Sequence, residues 1–277
     1  MITENSLCLE LMHRGYHPTT QDVIKNGVTL RVLTIRTADE TIAPCIYIDK
    51  ILEESNSQRE AAEQIISIYE SHRSINLGCD VLDLTDPDFI MANAYIGLQK
   101  SSEEDIIRRP SPYDGIEEFL YLRGKSDDAS HWSVRIKSQM ISGMDEAELW
   151  KTAEERTFRG FQISSLTEVL QNMGFLPEGG IPDTTPPMYI ISNPEKYRGA
   201  VLACDMESLK KWATEHDYDK AVLLPSSVHE MLIVPIEGEE YDLETFNSMV
   251  AEVNATQVDP TERLTDRAYL INLREAA

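Results

Sequence analysis

The sequence has little positive charge. Its 277 residues carry 25 lysines and arginines against 48 aspartates and glutamates, so the formal net charge at pH 7 is -23. The acidic excess is spread along the chain and is not confined to a tail. Such a surface repels phosphate backbones and anionic lipids, which argues against direct binding to nucleic acids or membranes.

Cysteines and long hydrophobic runs are also scarce. The four cysteines, Cys8, Cys45, Cys79 and Cys204, are too far apart for a zinc knuckle or a redox pair. Cys45 and Cys204 lie in apolar runs and are predicted to be small buried thiols, as in a reducing cytoplasm. No run approaches the roughly 18 apolar residues of a membrane-spanning helix. The start of the chain is acidic, unlike a signal peptide. We therefore expect a soluble, cytoplasmic protein.

Motifs that bind cofactors or metals are missing. Neither a Gly-x-Gly-x-x-Gly pattern nor a Walker loop occurs. His229-Glu230 lacks the second histidine, three residues on, of the zinc-protease motif. The basic doublet Arg108-Arg109 lies among acids and is interpreted as solvated surface. The sequence predicts no cofactor and no metal site.

The hydrophobic pattern indicates an α+β fold with mixed or antiparallel sheets and helices packed on one side. Apolar and polar residues alternate from Val28 to Arg31, after an Asn26-Gly27 turn. Pro87 to Lys100 is predicted as a helix, and Asp205 and Asp242 are predicted helix caps. Strands are expected at the positions that follow: 118–123, 132–137, 188–192, 199–204, 221–224 and 228–234.

Two associated lobes are predicted. Residues 179–187 hold two glycines and three prolines, which neither a helix nor a central strand accommodates. They are interpreted as a linker between an N-terminal α+β lobe, 1–178, and a C-terminal lobe, 188–277. The pattern of the second lobe is β-β-α-β-β-α, which favours an antiparallel sheet.

Several segments resemble an uncharacterised bacterial family, a domain of unknown function of anaerobic Gram-positive gut bacteria. The matching pieces include Asn26-Gly27-Val28, Arg135 to Ile141 and Glu148 to Ala153. The most specific pieces come late in the chain: Pro187 to Asn193, Gly199-Ala200, Leu224 to Glu230 with its Leu-Pro-Ser-Ser-x-His-Glu motif, and Val253 to Val258. Residues 76–128 match poorly. The resemblance implies a family and a fold but no activity.

Ser226, Ser227, His229 and Glu230 are the candidate site residues. A nucleophilic serine needs a base within hydrogen-bond reach and a partner that orients the base. In a strand Ser227 and His229 would share a face, but Glu230 would point to the opposite one. No Gly-x-Ser-x-Gly elbow surrounds either serine. Three alternatives stay open for the cluster: a structural hairpin, a catalytic pair and a ligand site.

Three classes of function follow. No complete catalytic set can be assembled, so a non-catalytic module that binds another protein, in a regulatory role, comes first. The second is a hydrolase-like enzyme that uses Ser227 and His229. The third is an acidic mimic of nucleic acid that blocks a basic groove on its partner.

Overall fold

The structure, a computed structural model, describes residues 2–36, 43–72, 82–125, 131–176, 186–236, 238 and 241–274. The chain forms two compact units, residues 1–90 with 123–133 and residues 91–122 with 134–277. This division differs from the two lobes predicted from the sequence. Of the predicted linker 179–187, residues 179–185 lie outside the described ranges.

Helices and strands are mixed along the chain. The α-helices are α1 (Glu4–His13), α2 (Asp49–Glu54), α3 (Gln58–His72), α4 (Pro87–Asn93), α5 (Glu146–Phe158), α6 (Leu166–Asn172), α7 (Met206–Glu215) and α8 (Leu243–Gln257). Short 3-10 helices occupy Asp83–Thr85, Ser138–Ile141 and Gly199–Cys204. The strands are β1 (Pro18–Lys25), β2 (Val28–Ile35), β3 (Ile46–Tyr47), β4 (Ala94–Lys100), β5 (Arg108–Pro110), β6 (Ile116–Lys125), β7 (His131–Arg135), β8 (Gln162–Ser165), β9 (Tyr189–Ser192), β10 (Lys220–Pro225), β11 (Met231–Ile236) and β12 (Tyr269–Asn272).

Within the described ranges, the strands form three antiparallel sheets. Their orders are β1-β2-β3, β4-β6-β5 with β7 also paired to β6, and β12-β10-β11-β9-β8. The predicted α+β class is confirmed. β8 and β9 pair in antiparallel register although the predicted linker separates them in sequence.

The first unit is built on the predicted hairpin. Lys25 pairs with Val28, and the turn residues Asn26 and Gly27 both have positive φ, at 53° and 74°. Two positive φ values define the type I′ turn, whose twist matches that of the strands it joins. One face of this sheet packs Leu33 and Ile35 into a core that includes residues of α1 and α3.

The five-stranded sheet of the second unit has apolar residues on both faces. Val222 of β10 and Val234 of β11 pack with Val250 of α8 on one face. Leu223 and Ile233, which alternate with them and so point the other way, are fully buried. The predicted caps are present, since the Asp205 carboxylate accepts from the Ser208 amide and that of Asp242 from the Glu244 amide.

The smaller sheet of the second unit has its β4 edge tied to α5. The amide of Ile96 donates to the Thr157 hydroxyl at 3.0 Å. The Arg156 guanidinium donates to the carbonyls of Ala94 and Met91. The bonds to Ile96 and Ala94 occupy edge groups of β4 that would otherwise pair with a further strand.

Three local predictions were wrong. The helix predicted over 87–100 ends at Asn93, and the chain continues as β4, in which five of seven residues are buried. The strand predicted at 199–204 is a buried 3-10 helix, in which the amides of Gly199 and Ala200 donate to the carbonyls of His229 and Val228. Cys45 is exposed and Cys204 is partly buried, so the burial predicted for Cys45 was also wrong.

Two further observations bear on function. Within the described ranges, no helix combines the length and apolar character needed to cross a membrane. In the same part of the chain, no group of three or more His, Cys, Asp and Glu side chains is arranged to hold a metal ion.

Candidate functional site

The four predicted site residues lie together in the connection between β10 and β11. The predicted strand 228–234 begins only at Met231. Before it, the Ser227 amide donates to the Glu230 carbonyl at 3.2 Å, and the His229 amide donates to the Ser227 hydroxyl at 3.0 Å. Ser226 and Glu230 are half-buried in the same connection. Ser227 therefore uses its hydroxyl to close a local turn.

Both ring nitrogens of His229 have partners other than Ser227. The Arg198 amide donates to Nδ1 at 3.2 Å, so Nδ1 carries no proton. The neutral ring therefore carries its proton on Nε2, which lies 3.3 Å from Glu262 Oε1 and donates to it. The side chains of His229 and Glu262 are 29% and 38% exposed. Nδ1 and Nε2 thus both have hydrogen-bond partners other than the Ser227 hydroxyl.

The main chain of His229 is hydrogen-bonded as well as its ring. Its carbonyl accepts from the Gly199 amide at 3.0 Å and from the Ser192 hydroxyl at 2.8 Å. A Cβ on Gly199 would lie 2.4 Å from Ser192 Oγ and 2.8 Å from the His229 carbonyl oxygen, so only glycine permits this approach. We call Ser192, Arg198, Gly199, Ser227, His229 and Glu262 the His229 junction.

The loop that enters the junction is itself constrained. Lys196 and Arg198 adopt left-handed φ values of 50° and 51°, which side chains other than glycine rarely adopt. The Asn193 side chain bonds the Tyr197 main chain twice, accepting at 3.1 Å and donating at 2.8 Å. Strain of this kind persists only where the surroundings fix the backbone. The junction therefore holds three segments that are distant in sequence in one fixed arrangement.

A second polar cluster lies on the smaller sheet, where Gln99 of β4 pairs in register with Glu117 of β6. Glu117 Oε1 accepts from Gln99 Nε2 at 2.8 Å and from the Ser102 hydroxyl at 3.0 Å. Its Oε2 accepts from the Arg108 guanidinium at 2.9 Å. Gln99 and Glu117 are only 1% and 5% exposed. With Glu104, described next, these residues form what we call the Glu117 network.

Glu104 extends the Glu117 network and leaves it incomplete. Its carbonyl accepts from Arg108 Nε at 3.2 Å, and its carboxylate pairs with Arg135 through Oε2. Among the described residues, Gln99 Oε1 and Glu104 Oε1 are buried and have no hydrogen-bond partner. A buried polar atom without a partner costs about 1–3 kcal/mol and calls for an explanation.

The opposite face of β6 holds a different set of contacts. Arg109 pairs with Glu118 at 2.6 Å and Glu154 at 2.8 Å, and its guanidinium lies 4.3 Å from the Trp150 ring centroid. Burial, reinforced by the Glu118 carboxylate, raises the pKa of the Cys204 thiol well above its usual range. A raised pKa favours the protonated thiol over the thiolate at neutral pH.

A cavity of about 770 Å³ opens beside the Glu117 network. It is lined by side chains from residues 101–117, including Ser102, Arg108 and Glu117. Its volume falls within the range typical of ligand sites, about 300–1,000 Å³. None of the four predicted site residues lines it. Sequence reasoning missed this site and assigned Arg108-Arg109 to solvated surface. One sequence pattern could have indicated this site: two adjacent acids, Glu117 and Glu118, begin a strand that continues with apolar residues.

An aromatic patch lies on the same sheet face as Glu117. Phe119 and Tyr121 follow it at alternate positions of β6, and Gly97 stands opposite Phe119 in register. The Arg198 guanidinium lies 5.3 Å from the Phe119 ring centroid and 5.2 Å from that of Tyr121. Such cation–π contacts hold the Arg198 side chain against the sheet.

Comparison with known proteins gives a family and nothing further. No curated protein and no solved structure matches the chain. One family model matches residues 5–272, a range that includes both the His229 junction and the Glu117 network. The chain therefore belongs to the family described as a family of unknown function, DUF5688.

Proposed function

We propose that the protein is a non-catalytic binding module, and that it takes up a segment of a partner protein in the cavity of residues 101–117. The observation that supports this most is the Glu117 network beside the cavity. Ser102, Arg108 and Glu117 of the network line the cavity, and the buried Glu117 carboxylate is held by hydrogen bonds from Gln99, Ser102 and Arg108. Polar groups fixed at a concave surface are the usual means of orienting a ligand.

The hydrolase alternative has weaker support. It requires the Ser227 hydroxyl to reach a free nitrogen of His229, whereas both ring nitrogens have other partners. Burial raises the pKa of the Cys204 thiol, which lies beside Glu118 on the other face of β6, and so disfavours the nucleophilic thiolate. The acidic-mimic alternative requires free carboxylates in a row. Glu117, Glu118 and Glu154 are instead each paired with an arginine.

The test is a peptide-binding screen run beside an activity screen. An array of random peptides is probed with the protein, and hydrogen exchange of the protein with its best peptide locates the binding site. We expect protection of residues 101–117 and no turnover of generic ester, phosphoester or peptide substrates.

A matched pair of variants sharpens this test. Ser101→Trp places a large ring at an exposed position of the cavity wall and should abolish binding. Thr256→Trp places the same ring at an exposed position of α8 and should leave binding unchanged. Protection confined to other regions would contradict the proposal. So would turnover that is lost in Ser227→Ala or His229→Ala.

A further inference from the structure

We propose that the His229 junction is a pH-sensitive switch. When His229 gains a proton, the Arg198 amide loses its acceptor, the loop of residues 193–198 opens, and the Arg198 side chain leaves the rings of Phe119 and Tyr121. Neither His229 nor Arg198 lines the cavity of residues 101–117, so the switch does not depend on what binds there.

The hydrogen bond at Nδ1 of His229 requires a neutral ring. The Arg198 amide donates to this nitrogen at 3.2 Å, so Nδ1 is the acceptor. In a protonated imidazole both nitrogens carry hydrogen and neither accepts. The amide and the ring would then present two donors to each other. Protonation therefore breaks this bond, whereas the bond from Nε2 to Glu262 persists in both charge states and becomes an ion pair.

A second histidine of the same unit, His216, is bonded in the opposite sense. Its Nδ1 lies 2.8 Å from the Trp212 carbonyl oxygen, which accepts and does not donate, so this nitrogen carries a proton. The bond is kept when the ring gains a second proton on Nε2. Histidines change charge between about pH 5 and 8. A change of pH across that range therefore leaves the bond of His216 in place and breaks the bond at Nδ1 of His229.

The charges around His229 favour its protonation. Among the described side chains, the Glu262 carboxylate is the only charged group within ion-pair distance of the ring. The titratable residues of the segments packed against His229 are Glu195, Lys196, Tyr197 and Arg198 in the loop, Cys204 in the 3-10 helix, Glu230 in the hairpin connection, and Asp259, Glu262 and Arg263 after α8. Four of these are acids and three are bases, in a chain with a net charge of -23.

The opening is local, because the bonds on both sides of Arg198 do not depend on the charge of the ring. The Gly199 amide donates to the His229 carbonyl, and the Asn193 side chain bonds the Tyr197 main chain twice. Arg198 itself has a left-handed φ of 51°, which is unfavourable for a side chain other than glycine. Its backbone relaxes once its amide is released, since such strain persists only where the surroundings fix it.

The side chain of Arg198 has little to hold it in place once the backbone moves. Its guanidinium lies over the rings of Phe119 and Tyr121, and its Nε is buried without a hydrogen-bond partner among the described residues. Departure of the side chain returns Nε to water, which removes the cost of an unbonded buried donor. It also uncovers part of two rings that are now 0% and 2% exposed. Acid therefore exposes an aromatic surface.

NMR of the full chain tests the switch between about pH 7.5 and about pH 5.5, the range in which histidines titrate. This range stays above the isoelectric point of about 4.6. Ring nitrogen shifts report the charge of His229. Hydrogen exchange of the Arg198 amide, corrected for the intrinsic exchange rate, reports its bond. We expect the protection of this amide to fall about tenfold at the lower pH, as the loss of one hydrogen bond predicts. The ring resonances of Phe119 and Tyr121 should shift over the same range.

Variants assign the effect to His229. In His229→Gln a side-chain oxygen accepts the amide at every pH, so protection at Arg198 should no longer depend on pH. His216→Gln removes an exposed titrating ring elsewhere in the unit and should keep the wild-type response. Glu262→Gln removes the carboxylate that favours the charged ring and should move the transition to lower pH. The Ile96 amide, which donates to a hydroxyl outside the junction, should keep its protection throughout.

Several results would overturn the switch. One is constant protection at Arg198 while the His229 ring titrates, and another is a ring that stays neutral at the lower pH. A pH response that persists in His229→Gln would assign the effect to another group. An equal loss of protection at Ile96 would show unfolding of the whole unit instead of a local opening. If His229→Gln does not fold, the shift of the transition in Glu262→Gln decides the assignment.

Discussion

The His229 junction and the Glu117 network are two polar clusters of the same unit, and they differ in completeness. In the junction, both ring nitrogens, the amide and the carbonyl of His229 have partners within 3.3 Å. In the network, two buried acceptors have no partner among the described residues. The polar groups of His229 are therefore all bonded, although Nε of Arg198 in the same junction is buried without a hydrogen-bond partner among the described residues.

This difference indicates how the two clusters contribute to the molecule. Hydrogen bonds to every polar group of His229 fix the backbone segments that it joins in one arrangement, and their removal costs stability. In the network, Ser102, Arg108 and Glu117 line the cavity, and hydrogen bonds to the Glu117 carboxylate hold the other two side chains there. We therefore expect substitutions in the junction to act mainly on stability and substitutions in the network to act mainly on binding.

The largest effect is expected for Gly199→Ala. The added Cβ would meet backbone atoms of Asn193 and His229 at 2.8 Å, and main chain yields less readily than a flexible side chain. Overpacking of this kind costs about 3 kcal/mol. Urea unfolding monitored by circular dichroism measures the loss. Gly160→Ala, where the nearest atom lies at 3.3 Å, is the control and should cost much less. Equal stability of the two variants would contradict the rigid junction.

Removal of the ring in His229→Ala should have the next largest effect. The Arg198 amide would lose its acceptor in a left-handed, half-buried position, so we expect a loss of about 2 kcal/mol. His229→Gln tests the cause, because a side-chain amide oxygen can accept the same bond and should recover part of the stability. A variant His229→Ala that melts like the wild type would show that the junction is not a structural anchor.

Replacement of Arg108 and replacement of Glu117 should destabilise the protein by different amounts. The Arg108 side chain is 33% exposed, whereas that of Glu117 is 6% exposed. Arg108→Gln leaves a buried carboxylate without its cation and should cost about 1.5 kcal/mol, reduced by solvent at the exposed end of the pair. Glu117→Gln leaves an arginine that can reach water and should cost less than half as much. Chemical denaturation of both variants decides this, and the reverse order would refute the asymmetry.

The sequence predicted those features that depend on neighbouring residues. The Asn26-Gly27 turn and the caps Asp205 and Asp242 form as expected, because each needs partners only one to three residues away. The α+β class follows from the same local patterns. The 3-10 helix at Gly199 was missed because its amides bond carbonyls about 30 residues away, which no local pattern records.

The candidate site was missed for the same reason. Gln99 meets Glu117 only because β4 and β6 pair in one register, and Arg108 joins them from a third strand. Likewise, the partners of His229, Arg198 and Glu262, are 31 and 33 residues away. Sequence analysis identified His229 as a residue of interest, but its role depended on which atoms were already bonded.

The smallest effect is expected for Ser227→Ala. The hydroxyl of Ser227 accepts the His229 amide in a half-buried turn that water can enter, so its loss should cost about 0.5–1 kcal/mol. Ser226→Ala is a matched control from the same turn, and the difference in melting temperature between the two variants isolates the bond. The same two variants test the hypothesis that Ser227 is a catalytic nucleophile. A nucleophilic Ser227 would make Ser227→Ala inactive in a substrate screen while Ser226→Ala stays active, with melting temperature unchanged in both. Because Nδ1 and Nε2 of His229 are already engaged, we expect the opposite: a small loss of stability in Ser227→Ala and no hydrolytic activity to lose.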